Sequence, residues 1–454
     1  MKLSWNEGIQ RRRDGCTECR RKKVKCDLQK PTCSRCTRYP QGCKYESNFI
    51  TGSTRSSRVS GPRSPQVVPA AQRICIQPPL NPWANLSTHE NQFFMHHFGT
   101  QTASVLFPLA PPLFSQTLVS TALNTRHLLH ALLAAACSHH ARLITDTSEN
   151  TRRTILKFTN LAISGLRDAL NDEKEMLKPE TAMTAMALCT NDVCNGNPRT
   201  WRVHLQGVKK LLNAVFEKNQ PTDDPFAQCL FKWFATLDVS AGLSGIHGGC
   251  VEDGRYWSLE MTSTGHVDDI CGYSMELLPL LARIGILARQ QACNTPSIPA
   301  SEAEDIETRI LAVSHKSAAT HTLTSHSDLA LQLPHTHQTF IHSALLHLHR
   351  RVQNLPKDHP KVRAQITGII NAFNNIPPFS TANILILWPI FSAGCETDDI
   401  IERDIIQERM KNMQATGMGN FTRAREALSV YWEANTAVRW DLFFAGSGLE
   451  LVLF

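Results

Sequence analysis

No apolar run in these 454 residues approaches the roughly 20 that a membrane-crossing helix needs. The longest candidate, Ile384 to Phe391, is short and holds a proline, so no membrane partner is expected. Met1 to Arg13 lacks the apolar core of a secretion signal, which argues against an extracellular disulfide scaffold. Charged residues are few, 19%, while hydrophobic residues reach 42%, a balance that excludes wholesale disorder and supplies a large core. Enzyme fingerprints are missing: there is no Gly-x-Ser-x-Gly elbow, no Walker A loop and no dinucleotide glycine pattern. Gly446-Ser447-Gly448 reads as a helix stop, and an enzyme is not expected. The 19 histidines, among them His139-His140 and the group from His335 to His349, contain no His-Glu-x-x-His frame and read as core or surface residues. Strand-like alternation is scarce, and no repeat of about 30–45 residues is visible.

Positive charge is present but concentrated. Residues 1–46 hold 13 Lys/Arg against 5 Asp/Glu, a net of +8, whereas the whole chain sums to +7, so the remainder carries −1. A basic arm on a neutral body is the footprint of a nucleic-acid-binding protein. Cysteine is concentrated in the same way. Six of the 15 lie at Cys16, Cys19, Cys26, Cys33, Cys36 and Cys43, with gaps of two, six, six, two and six residues. The other nine are scattered singly, as small buried hydrophobes are in a reduced, intracellular protein.

The cysteine series is one unit written twice: a pair two apart, then a third after six more residues. Zinc takes four tetrahedral ligands with Zn–S near 2.3 Å. Six thiolates cannot give two zincs four private ligands each, so two sulfurs must be shared. A segment of about 30 residues is too small to fold on an apolar core alone. Structural zinc contributes roughly 10–16 kcal/mol of apparent binding energy to such peptides, and that becomes folding energy. A metal-storage cluster would not need basic residues between its cysteines. A protein-binding zinc module is the remaining alternative.

The pattern resembles the fungal zinc binuclear cluster family, the two-zinc, six-cysteine transcription factors. All six cysteines match its spacing, Arg20-Arg21-Lys22-Lys23-Val24-Lys25 matches its basic first helix, and Pro31 matches its loop proline. The resemblance implies two zinc ions bridged by Cys16 and Cys33, with Lys22 and Lys23 presented to the major groove of double-stranded DNA at a CGG-type triplet. Lysine can donate to guanine O6 and N7, which fits that role. Arg20, Arg21, Lys25, Arg35 and Arg38 read as phosphate contacts, which set affinity and carry no sequence information. Arg11-Arg12-Arg13 and residues 20–25 also suit a nuclear import signal, so a nuclear protein is expected.

Residues 46–82 are rich in Ser, Arg, Pro and Gly and have linker composition, with no sustained heptad pattern. From about residue 83 apolar residues recur at helical spacing: Leu128, Leu129, Leu132, Leu133 and Cys137; Ile155, Phe158, Ala162 and Leu166; Trp201, Leu205, Val208, Leu211, Leu212 and Val215; Ile306, Ile310 and Val313; Phe340, Leu345, Leu348 and Val352. Ser87 with Glu90, and Ser301 with Glu304, have capping-box spacing. Thr200-Trp201-Arg202-Val203-His204-Leu205-Gln206-Gly207-Val208-Lys209-Lys210-Leu211-Leu212, Trp388-Pro389-Ile390-Phe391-Ser392-Ala393-Gly394-Cys395-Glu396, Tyr431-Trp432-Glu433 and Arg439-Trp440-Asp441 resemble the fungal-specific regulatory domain that follows such clusters. That likeness implies a helical regulatory domain that acts on the transcription machinery; related domains can sense small molecules.

The expectation is a mainly α protein: a basic lead-in over 1–15, a small zinc binuclear cluster DNA-binding domain over 16–45, a disordered, flexible linker over 46–86 and a large all-helical regulatory domain over 87–454. Its function would be regulation of RNA polymerase II transcription, with a metabolic or biosynthetic gene cluster as the expected target. Homodimerisation and a small-molecule effector stay open, as does the sign of regulation.

Overall fold

The leucine-rich stripe at 128–137 becomes the inner face of the Arg126–Leu143 helix, where Leu128, Leu129, Leu132, Leu133 and Cys137 are each at most 1% exposed. The computed structural model describes residues 16–29, 32–37, 43–44, 86–108, 110, 112–196, 200–218, 225–246, 249, 266–293, 298–320, 330–449, 451 and 453. The chain divides into two compact units, Met1–Ile76 and Gln77–Phe454. The basic lead-in, Pro31, Arg38 and residues 46–85 of the expected linker lie outside the described residues; Leu86 is buried.

The second unit is helical, and among its described residues the one β feature is an isolated bridge between Val267 and Ser274. The other stripes read from the sequence also face inward. Phe158, Ala162 and Leu166 are buried, and Ile155 half-buried, on the Glu149–Leu170 helix. Trp201, Leu205, Val208, Leu211 and Leu212 are buried on Trp201–Lys218, and Ile306, Ile310 and Val313 on Ala300–Thr320; the Val215 side chain lies outside the described residues. Burial of these faces, at about 25 cal/mol per Å² of apolar surface, holds the helices together.

Two hydrophobic cores result, and the Pro225–Leu243 helix divides them. Leu230, Trp233, Phe234, Leu237 and Ala241 pack into a core built from residues before it. Phe231, Ala235, Val239 and Leu243 pack on the other side, into a core built mostly from residues after it. A helix apolar on both faces belongs at the centre of a domain. Polar contacts also cross between the halves: His139 Nε2 donates to the Thr416 carbonyl at 2.9 Å and Arg142 Nε to that of Gly417 at 2.5 Å.

Both expected capping boxes shift. The first helix of this unit, His89–His97, is capped by Thr88, whose hydroxyl accepts from the Asn91 amide at 3.1 Å. Glu90 instead reaches Lys157 at 2.8 Å. A cap must stand immediately before the first helical residue, and Thr88 serves as well as Ser87. Ser301 lies inside the Ala300–Thr320 helix, which starts directly after Pro299. Two π-helical turns, Phe98–Thr102 and Leu348–Val352, extend helices that end at His97 and His347. Such turns gather at functional or strained positions. Here the second carries Arg350 and Arg351, which pair with the buried acids Glu396 and Asp441. Gly394 permits a close approach, as expected: a Cβ there would lie 2.6 Å from Leu428 Cδ2. The Trp440–Gly446 helix stops at Ser447-Gly448, with Gly448 at φ +67°.

Candidate metal centre and nucleic-acid interface

Among the described residues of the first unit the buried ones form a cluster made wholly of cysteines. Cys16, Cys19, Cys33, Cys36 and Cys43 are at most 8% exposed, and the half-buried Cys26 packs against them. Short local elements present the sulfurs. The Thr17–Arg21 helix carries Cys19 one turn after Cys16, and the Cys19 amide points to Cys16 Sγ at 3.5 Å. A 3-10 turn, Ser34–Cys36, does the same for the second pair. Contacts at two places join the halves, Thr17 N to the Lys44 carbonyl at 2.8 Å and Asp27, which accepts from the Ser34 amide at 3.1 Å and from its hydroxyl; within the second half Cys33 N points to Cys43 Sγ at 3.3 Å.

The sulfurs fall into two sets of four: Cys16, Cys19, Cys26 and Cys33, and Cys16, Cys33, Cys36 and Cys43, with all ligand atoms of a set within 4.8 Å of one another. Cys16 and Cys33 belong to both. None of the six is in a disulfide. Cys16–Cys33 and Cys16–Cys36 are 3.8 Å apart and Cys19–Cys33 3.7 Å. A tetrahedron with Zn–S of about 2.3 Å has edges of about 3.8 Å, whereas a disulfide needs about 2.05 Å. The donor set therefore fits zinc.

Electrostatics agree. Burial pushes the Cys19 thiol up to about 12, assisted by the Cys16, Cys33 and Cys26 sulfurs, and burial likewise raises Cys36. For Cys16 burial acts upward too, but the Cys19 amide and the neighbouring sulfurs outweigh it and hold the thiol near 6. So many sulfurs cannot ionise together in one small space without a cation among them.

Around the sulfurs lie the cations. Arg21, Lys22, Lys23, Lys25 and Arg35 are exposed. Arg20 lies in the Thr17–Arg21 helix but its side chain, like all of Arg38, falls outside the described residues. That helix ends as Lys22 N bonds to the Glu18 carbonyl and Val24 N to that of Cys19, with Lys23 between them at φ +56°. A left-handed residue closing a helix through a six-residue bond is the Schellman arrangement, where glycine is usual. One feature escaped the sequence reading: Glu18 binds Arg21 and Lys22. Its place three and four residues before two cations was the available signal.

The helix expected over Arg20–Lys25 ends at Arg21, where Lys23 turns left-handed, and Lys22, Lys23 and Lys25 follow it. A cysteine core with zinc-spaced sulfurs, an exposed basic segment and a large helical unit define a zinc-cluster regulator. Residues 14–49 match the fungal Zn(2)-Cys(6) binuclear cluster domain, and residues 93–454 match the fungal specific transcription factor domain. The chain belongs to the fungal Zn(2)-Cys(6) transcription factors, a family of zinc-binding regulators and not of enzymes. Among curated proteins it is similar to the Zn(2)-C6 fungal-type transcription factor afumD of Aspergillus fumigatus (strain CBS 144.89 / FGSC A1163 / CEA10), 24% identical over 185 residues. That alignment covers 40% of this chain and 44% of the relative, so the chain spans less than half of that protein. No solved structure matches the chain.

Proposed function

We propose that this protein is a nuclear, sequence-specific regulator of transcription whose residues 16–45 hold two zinc ions and read a GC-rich, CGG-type triplet in double-stranded DNA. Cys16 and Cys33 bridge the ions, Cys19 and Cys26 complete one tetrahedron, and Cys36 and Cys43 complete the other. Lys22 and Lys23 face guanine O6 and N7 in the major groove. Arg20, Arg21, Lys25, Arg35 and Arg38 lie against phosphates and set the affinity. Residues 87–454 carry regulation, through the transcription machinery, a second copy of the chain or a small-molecule effector, and the targets form a metabolic or biosynthetic gene set.

The observation that carries the reading is the sharing of Cys16 and Cys33 between two zinc-sized sulfur tetrads, beside five exposed cations. Native mass spectrometry should count two zincs per chain. An electrophoretic shift assay should lose the complex on complete chelation and regain it when zinc is restored. Binding that survives removal of all zinc overturns the proposal.

A further inference from the structure

Glu18 stands on the short Thr17–Arg21 helix, ahead of the residues proposed to read DNA. Its carboxylate accepts two hydrogen bonds from Arg21, at 2.9 Å from Nε and 2.7 Å from Nη2, and lies 3.0 Å from Lys22 Nζ. The acid is the sheltered partner, 21% exposed against 70% for Arg21 and 53% for Lys22. Asp27, the other acidic side chain described in this unit, is taken up by Ser34 and does not share the task.

These ion pairs do little for folding. Exposed pairs contribute little to stability, and the unit is held by its sulfurs. Their effect falls on binding. Sequence-independent attachment to DNA consists almost entirely of cations neutralising phosphates. Arg21 and Lys22 must leave Glu18 before they can do so, and the carboxylate left behind then repels the polyanion. On the right sequence Lys22 gains base-edge hydrogen bonds that offset this cost; on the wrong one it gains only phosphate. The penalty therefore weighs more on incorrect DNA, and specificity is a difference between two affinities.

We infer that Glu18 is a positioning residue that sets sequence discrimination by holding Arg21 and Lys22 away from non-cognate DNA. The inference rests on the DNA-reading proposal above. The test uses the zinc-loaded full chain, wild type and the neutral variants Glu18→Gln and Glu18→Ala, with zinc content checked by native mass spectrometry. Fluorescence anisotropy at several salt concentrations measures binding to two duplexes. One is the best duplex that wild type recovers from a randomised pool; the other is its scramble of equal composition.

Both variants should bind the scrambled duplex about three- to tenfold more tightly. Its log K against log salt slope should steepen by about one, the effect of roughly one added phosphate contact. Affinity for the selected duplex should rise less, so the ratio falls. Glu18→Asp, which keeps the charge, should stay nearer the wild-type slope. Unchanged ratio and slope overturn the inference, as does equal weakening on both duplexes with zinc retained. Loss of zinc from both neutral variants also overturns it, by making Glu18 a structural residue. Failure of wild type to enrich any sequence from the pool sinks the DNA-reading proposal instead.

Discussion

Arg351 and Asp441 form an ion pair 2.9 Å long in the interior of the helical unit, with side chains 1% and 0% exposed. The guanidinium also donates to the carbonyls of Leu243 at 2.7 Å and Gly245 at 2.8 Å, and Arg439 Nε reaches the other oxygen of Asp441 at 2.6 Å. One buried cation thus ties the π-helical turn at 348–352 to the end of the helix that divides the two cores and to the last helix of the chain. Burial acts to raise the Asp441 pKa, but Arg351 and Arg439 outweigh it and keep the acid ionised.

Removing Asp441 leaves the buried Arg351 charge without its acid, whereas removing Arg351 leaves Asp441 still paired with Arg439. Asp441→Ala is expected to destabilise the helical unit by about 3–5 kcal/mol, whereas Arg351→Met combined with Asp441→Leu should cost much less than Asp441→Ala alone. Urea denaturation followed by circular dichroism measures both. An Asp441→Ala midpoint equal to wild type contradicts the account.

Acid should weaken the helical unit through His97. Burial first, then the neighbouring His139, His140 and His96, lowers the His97 pKa from 6.5 to about 4. His97 Nε2 lies 3.3 Å from His139 Nδ1, and Thr102 Oγ1 is 3.1 Å from that same nitrogen. His139 donates its other nitrogen to Thr416, so its Nδ1 is the acceptor when the ring is neutral. Between pH about 6.5 and 4 the unfolded chain binds a proton that the folded chain does not, so this contribution to stability is complete above that window and is lost as pH falls through it. Thermal midpoints from pH 7 to 4 should fall, and less steeply in His97→Leu. Equal slopes in the two proteins would refute the assignment.

Zinc removal should separate the two units in their response. The first is cored by cysteine and should lose its structure, while the second has two apolar cores and should keep its helices. Chelation is expected to abolish DNA binding and expose residues 16–44 to protease, with far-ultraviolet circular dichroism almost unchanged. Collapse of the helical signal on chelation would show that the second unit depends on metal.

Lys23, proposed to read bases, has a left-handed backbone, φ +56°. Lys23→Ala should cost about 1–3 kcal/mol at the cognate site and relax specificity there. Lys23→Gly should lose the same contact while easing the backbone, and so retain zinc at least as well as Lys23→Ala. Competition binding and zinc titration check the pair. Uniform weakening across unrelated sequences would mark Lys23 as a phosphate contact.

Local signals in the sequence are strong at both ends of this protein. Cysteine spacing announces the metal centre, because two sulfurs two residues apart can reach one ion with little help from the rest of the chain. Apolar periodicity announces the helices and their inner faces, as at Leu128 to Cys137 and Trp201 to Leu212. The cap falls at Thr88 and not at Ser87, since the two offer equivalent oxygens and only the register of the packed helix chooses between them.

The amino-acid order alone determined a zinc-binding basic module, a helical body and the family, all of which depend on short-range spacing. Only the tertiary structure decided that the Pro225–Leu243 helix divides two cores and that Arg351 meets Asp441. Arg351 and Asp441 are separated by loops and by tens of residues along the chain. Nothing in their local sequence encodes the meeting; it follows from packing all the helices at once.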